Sequence, residues 1–203
     1  MRTEELLLNE EGYSKIACID EVGRGCLAGD VVSAAVIMPI DSVIEGIKDS
    51  KKLSEKKREL LYERIKEEAL AIGIGRVSPK KIDEINIRQA TLLAMKIAVT
   101  NMKDKDGNII RPDFILIDAE RLDLGIPEKS LVKGDEICYG ISAASIVAKV
   151  YRDNLCKNEW ENEYPEYNFK KHKGYGTKEH RENILKYGPC KIHRQSFLKK
   201  IIK

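Results

Sequence analysis

No apolar run in this chain reaches the ~18 residues that a membrane-spanning helix needs. The opening MRTEELLLNEEGYSK is acidic and polar, unlike the basic start and apolar stretch of a secretory signal. Cysteine is present but never as CxxC: five residues, Cys18, Cys26, Cys138, Cys156 and Cys190, are an odd number without paired spacing. That pattern predicts reduced thiols and a cytoplasmic protein. The three histidines, His172, His180 and His193, lack the spacing of zinc ligands. Internal repeats and low-complexity linkers are missing too. What remains is one sizeable domain over residues 1–203, with residues from about 165 onward as a helical C-terminal appendage.

The chain is 42% hydrophobic and 34% charged, a composition of soluble globular proteins rather than disordered ones. Its net charge is only +3, but Lys and Arg crowd residues 48–58, 170–181 and 191–203. Such basic clusters permit nucleic acid as a partner without requiring it.

Apolar runs of strand length occur at 16–19 (IACI), 30–38 (DVVSAAVIM), 70–78 (LAIGIGRVS) and 114–118 (FILID). The segment 130–135 (SLVKGD) reads as a shorter strand. Gly73 and Gly75 look like weak points in the third strand. The glycines between the first two runs make them a hairpin. Residues 3–9 form a short helix. Ser54 caps a helix whose Leu60, Leu61, Ile65 and Ala69 share one face. Ser78-Pro79 starts another. Residues 87–102 carry a helical apolar stripe, and ISAASIVAKVYRDNLCKNEW is a helix with small residues suited to close packing. Thr177 caps a later helix that Gly188-Pro189 stops, and a last short helix falls within 193–202. Three strands, helices, two strands and helices together predict an α/β fold with a five-stranded mixed sheet.

Four carboxylates stand out by position. Asp20 and Glu21 end the first strand, Asp118 ends FILI and Asp135 ends SLVKG. Open α/β sheets bind ligands at the carboxyl ends of their strands, so these acids converge if their strands are neighbours. Clustered carboxylates repel unless a cation neutralises them, and oxygen donors suit Mg²⁺ or Mn²⁺. Two such ions ~4 Å apart suit in-line attack on a phosphodiester. The plain alternative for any single acid is a turn former or helix cap.

GRGCLAG lacks the Gly-Lys-Ser/Thr ending of a nucleotide P-loop, which weakens a nucleotide-switch reading. Gly23 and Gly25 instead let backbone amides approach a sugar or phosphate, and Arg24 offers a guanidinium fork. A hairpin turn is the alternative. Ser50, Lys51 and Lys52 precede a helix start and form a candidate phosphate seat. Tyr175, between two glycines in FKKHKGYGTKEH, is poorly explained as core and suits stacking on a sugar or base. Ser145 and Lys149 lie one helical turn apart and either face phosphates or pack. His172 is read as a surface residue in preference to a catalytic accessory.

The motifs IDEVGRGCLAG, DSKKLS, IDEINI, ILID, LVKGD, AASIVAKVYRD, YPEY and HKGYGTKEH occur in this order. In this respect the chain resembles the ribonuclease HII family, the type 2 ribonucleases H, from about residue 14 to 198. The resemblance implies a ribonuclease H-like fold and a catalytic, metal-binding quartet at Asp20, Glu21, Asp118 and Asp135. It implies that Gly23, Arg24 and Gly25 read a ribose 2′-OH at an RNA–DNA junction, with Tyr175 stacking under the neighbouring sugar. The implied reaction is Mn²⁺- or Mg²⁺-dependent hydrolysis on the 5′ side of a ribonucleotide in duplex DNA, leaving 3′-hydroxyl and 5′-phosphate ends. RNA strands of RNA–DNA hybrids are also implied substrates, with roles in ribonucleotide excision and primer removal. Two positions depart from the family pattern: Asp30 stands where proline is usual, and Ala119 where glycine is usual. FLKKIIK shows no sliding-clamp motif of the QxxLxxFF type, and no association motif suggests more than a monomer. The rival readings are a hybrid nuclease indifferent to junctions and a nucleic-acid-binding module without catalysis.

Overall fold

The computed structural model describes residues 3–47 and 53–202. Its centre is one sheet of five strands: β1 Ile16–Val22, β2 Val31–Ile37, β3 Ala71–Val77, β4 Phe114–Asp118 and β5 Glu128–Leu131, in the order β3-β2-β1-β4-β5. β2 is buried along its whole length, as expected of a near-continuous apolar strand covered on both faces. β1 is antiparallel to β2 and parallel to β4, and β4 is parallel to β5. The expected α/β class, mixed sheet and opening hairpin are all present.

Two helices sandwich the sheet. α4, Ile87–Thr100, lies on one face, and α6, Tyr139–Asn154, on the other. The small residues early in α6 do pack closely, with Ala143, Ala144 and Ala148 fully buried. The other helices before α6 are α1 Thr3–Glu10, α2 Glu55–Glu68, α3 Pro79–Ile85 and the short α5 Gly134–Ile137. Ser54 caps α2, its hydroxyl accepting from the Lys57 amide at 3.3 Å. On α2, Leu61 and Ile65 face the core and Ala69 is buried just beyond it, but Leu60 is exposed. The expected stripe is therefore one residue too wide. Leu60 directly precedes Leu61, and adjacent residues on a helix point about 100° apart.

Gly73 and Gly75 are not weak points in β3. They are where α4 lands. A Cβ at Gly75 would lie 1.9 Å from the Ala94 carbonyl oxygen, and one at Gly73 would lie 2.0 Å from that of Ala98. Backbone is there, so nothing can swing aside. Gly75→Ala is expected to cost about 3 kcal/mol or more through displacement of α4, read as a lower urea midpoint. A loss below about 1 kcal/mol would contradict this close approach.

Beyond α6 the chain continues as a π-helical stretch, Leu155–Trp160. Trp160, Tyr167, Phe169, Ile184 and Leu198 gather with Leu27 and Ala28, so this part packs against the β1–β2 loop. Thr177 caps the helix Lys178–Tyr187 by accepting from the His180 amide, and Gly188 ends it at φ 78°.

The same cluster corrects the surface assignment of His172, which is buried. Its ring stacks on His180 at 4.2 Å, and His180 Nε2 lies 3.0 Å from His193 Nε2. Burial pushes His180 and His193 down to about 4, and holds His172 below its ordinary value. The unfolded chain therefore binds more protons than the folded one between the ordinary histidine value of about 6.5 and the depressed values near 4. Stability from these groups is complete above about pH 6.5 and is lost as pH falls towards 4, a few kcal/mol in all. Denaturant midpoints at successive pH values check this; a midpoint constant from pH 7 to 4.5 would contradict it.

Candidate active site

β1 and β4 are parallel neighbours, with Ile19 opposite Ile117. The next residues, Asp20 and Asp118, therefore lie side by side: Asp118 ends β4, whereas β1 runs on past Asp20 and Glu21 to Val22, so the expectation that those two acids end the first strand is corrected. Asp20 is buried; its Oδ1 accepts from the Glu21 amide at 2.8 Å, and the Ser145 hydroxyl on α6 also hydrogen-bonds to it. Asp118 Oδ1 accepts from the Gly134 amide at 2.8 Å. Glu21 is held at one oxygen, 3.4 Å from an Arg24 guanidinium nitrogen. Its other oxygen, Oε2, is buried with no hydrogen-bond partner among the described residues.

Burial raises the Asp20 carboxyl well above the usual carboxylate range, and the Glu21 charge raises it further. Glu21 is also raised by burial, with Arg24 opposing the shift. Burial and mutual repulsion thus favour the protonated form of these adjacent acids, and a nearby positive charge would reverse that.

Asp135 does not end a strand. The sheet releases the chain at Leu131, Val132 is exposed, and Lys133 turns through a left-handed conformation at φ 58°. Asp135 is thus in the first turn of α5, buried, directly after the glycine whose amide binds Asp118. Gly134 is glycine because a Cβ would lie 2.6 Å from Ile141 Cδ1.

A cavity of about 260 Å³ is lined by Asp20, Glu21 and Asp118. Gly23, Arg24 and Gly25 form part of its wall, and Ser145, Lys149 and Tyr175 another part. Asp135 is not on the wall, and Ser50, Lys51 and Lys52 lie outside the described residues. Arg58 of α2 lines the cavity and was not singled out from the sequence. Neither was Glu120, which lies 3.6 Å from Arg24 and 3.6 Å from Arg88.

The two glycines of the loop differ in kind. Gly23 has φ 92°, and a Cβ there would strike Arg152 Nε at 2.4 Å, so the fold itself requires it. Gly25 has no positive φ and open space around it. No internal contact calls for glycine there, and its bare backbone borders the cavity. Tyr175 is 39% exposed, with Lys149 Nζ 5.8 Å from its ring centroid. Lys149 also pairs with Asp153 at 2.7 Å.

Two fully buried arginines fasten these loops, and sequence reasoning missed both. Arg152 donates to the carbonyls of Ala28 (3.0 Å), Asp30 (2.9 Å) and Lys173 (2.7 Å), joining the 23–30 loop to the Tyr175 loop. Arg194 donates to Gly29 O at 2.8 Å and to Arg24 O at 2.9 Å. The only available signal was the place of Arg152 in AASIVAKVYRD. The two departures also resolve. Asp30 pairs with Arg76 at 2.8 Å. Ala119 sits at φ 53°, where glycine is free of the Cβ penalty of about 1 kcal/mol.

Carboxylates from adjacent parallel strands thus meet in one cavity beside an arginine-glycine loop. Residues 17–200 match the family model described as Ribonuclease HII. The ribonuclease HII of Alkaliphilus oremlandii is 62% identical over 191 residues, 94% of each chain. The ribonuclease H2 structure from Pyrococcus horikoshii is similar with a TM-score of 0.71 and 25% identity, covering 92% of this chain and 96% of that one. The RNase HII of Archaeoglobus fulgidus, solved in complex with PCNA, is similar at a TM-score of 0.69 and 25% identity, over 93% and 97% of the two chains. The chain belongs to the ribonuclease HII family and is a ribonuclease H endonuclease. Among the described residues no helix is long and apolar enough to cross a membrane.

Proposed function

We propose that this protein is a divalent-metal-dependent endonuclease that cuts on the 5′ side of ribonucleotides embedded in duplex DNA. It also cuts the RNA strand of RNA–DNA hybrids, leaves 3′-hydroxyl and 5′-phosphate ends, and serves ribonucleotide excision and primer removal. The observation that carries this reading is the convergence of Asp20, Glu21 and Asp118 with Gly23-Arg24-Gly25 and Tyr175 on one cavity.

The donor set fits Mg²⁺ or Mn²⁺: it is all oxygen, two of its acids are raised towards protonation, and Glu21 Oε2 is buried without a partner among the described residues. When bound, such ions supply Lewis acidity and an activated water for in-line displacement at phosphorus. Asp20, Glu21 and Asp118 would hold them, and Asp135, next to the Gly134 amide that binds Asp118, would complete the set. Ser145 orients Asp20, and the Gly134 amide orients Asp118. The open backbone at Gly25 lets a ribose come close enough for its 2′-OH to be read, the one group that marks a ribonucleotide within DNA. Arg24 grips the adjoining phosphate, and Tyr175 supports the neighbouring sugar. Lys149 adds positive charge beside that ring, and Ser50, Lys51 and Lys52 extend the phosphate contacts.

The test is cleavage of three labelled duplexes, one with a single ribonucleotide, one all-DNA and one RNA–DNA hybrid, with Mg²⁺, with Mn²⁺ and with chelator. The expected result is metal-dependent cutting of the first and third only. Cutting of the hybrid alone would favour the junction-indifferent nuclease, and cutting that survives chelation would remove the metal.

A further inference from the structure

A second ligand cluster lies apart from the cavity. Glu5 of α1, Cys18 of β1 and Cys138, between α5 and α6, are all buried. One carboxylate oxygen and the two sulfurs lie within 4.8 Å of one another. The plain explanation of Glu5 is that it caps α6, and half of it does: Oε1 accepts from the Gly140 amide at 2.8 Å. Oε2 is left buried without a partner among the described residues. A buried carboxylate oxygen with nothing to accept from is costly, and its presence asks for a cation.

The surroundings leave room for one. A Cβ at Gly140 would lie 2.3 Å from Cys18 Sγ and 3.4 Å from Glu5 Oε1, so glycine there keeps the sulfur and carboxylate accessible to each other. Beside them is a cavity of about 20 Å³ lined by Glu5, Cys18, Gly140, Asn9 and Ser14. That is room for a single water, the usual fourth ligand where a protein supplies three.

We propose that Glu5, Cys18 and Cys138 form a site for one thiophilic divalent cation of the zinc class, clasping α1 to the sheet. Two sulfurs and one carboxylate suit zinc and repel magnesium, the reverse of the all-oxygen set at Asp20, Glu21 and Asp118. Cys18 precedes Asp20 by two residues on the same face of β1, about 7 Å along the strand. Cys138 follows α5, the helix that carries Asp135. The site therefore braces two of the segments that present acids to the nuclease cavity.

Cobalt(II) alone is the probe, because cysteine thiolate ligands give it an intense near-ultraviolet charge-transfer absorption that oxygen ligands do not. The reduced full-length protein is expected to show this band, saturating at one equivalent. The band should persist in Asp118→Asn and in Cys190→Ser, and vanish in Cys18→Ser and in Cys138→Ser. Glu5→Gln should keep the band but weaken binding about tenfold or more. A folded protein without the band would overturn the proposal. So would a band that survives both Cys18→Ser and Cys138→Ser, or one lost in Cys190→Ser. If either serine variant fails to fold, Glu5→Gln decides: unchanged cobalt affinity overturns the site.

Discussion

Asp20→Asn is expected to lose at least about a thousandfold in cleavage rate, roughly 4 kcal/mol, and yet to melt higher than the unaltered protein when metal is absent. Both effects come from one fact. The Asp20 carboxyl is buried beside Glu21, so its ionised form is unfavourable until a cation compensates it. Its value in the folded state lies above the ordinary one. Its contribution to stability is therefore fullest below about pH 4 and falls as pH rises through the raised value. At neutral pH the metal-free protein carries that cost. Asparagine removes it, and its amide oxygen can still accept the Glu21 N–H. The gain is about 1 kcal/mol, or about 2–4 °C in a domain of this size. Kinetics with saturating metal and melting in chelator measure the two halves. Lower stability in chelator, or activity within tenfold, would contradict the electrostatic account.

Arg152→Met is expected to be the most damaging substitution away from the acids. It leaves the Ala28, Asp30 and Lys173 carbonyls without their donor in a buried setting. Removing a buried charged donor of this kind costs about 4 kcal/mol, or roughly 10 °C in melting temperature. The same three bonds set the 23–30 loop against the Tyr175 loop. At temperatures where the variant is folded, cleavage at a single ribonucleotide should therefore fall more than cleavage of a hybrid. A melting temperature within 2 °C of the parent would show that Arg152 does not fasten these loops.

How far the sequence disclosed this site depends on the kind of contact. Asp20, Glu21 and Asp118 were legible because acids directly follow four apolar residues at 16–19 and 114–117, although β1 itself runs on to Val22. The parallel pairing that sets Asp20 beside Asp118 was not legible, since register lies between strands rather than within one. Asp135 was found, but on the wrong element. LVKGD has the look of a strand, and nothing in the letters announces the left-handed turn at Lys133. Arg152 and Arg194 were invisible for a simpler reason. An arginine whose oxygen partners are all main-chain carbonyls has no acidic side chain to betray it, and basic residues default to the surface. Gly73 and Gly75 were misread because β3 alone cannot show that α4 rests on it. His172 is buried against Phe169 and stacked on His180, which in turn meets His193, and the two histidines fall 8 and 21 positions later in the chain.

The most direct measurement is the cut position, at single-nucleotide resolution, in a DNA duplex carrying one ribonucleotide. The proposed junction reading of this cavity, which rests on the resemblance to ribonuclease HII, predicts a single cut on the 5′ side of that ribonucleotide. The ends should be a 3′-hydroxyl and a 5′-phosphate. A cut on its 3′ side, or a 2′,3′-cyclic phosphate end, would contradict the account. The first would mean that the loop does not read the junction, and the second that the 2′-OH rather than water attacks.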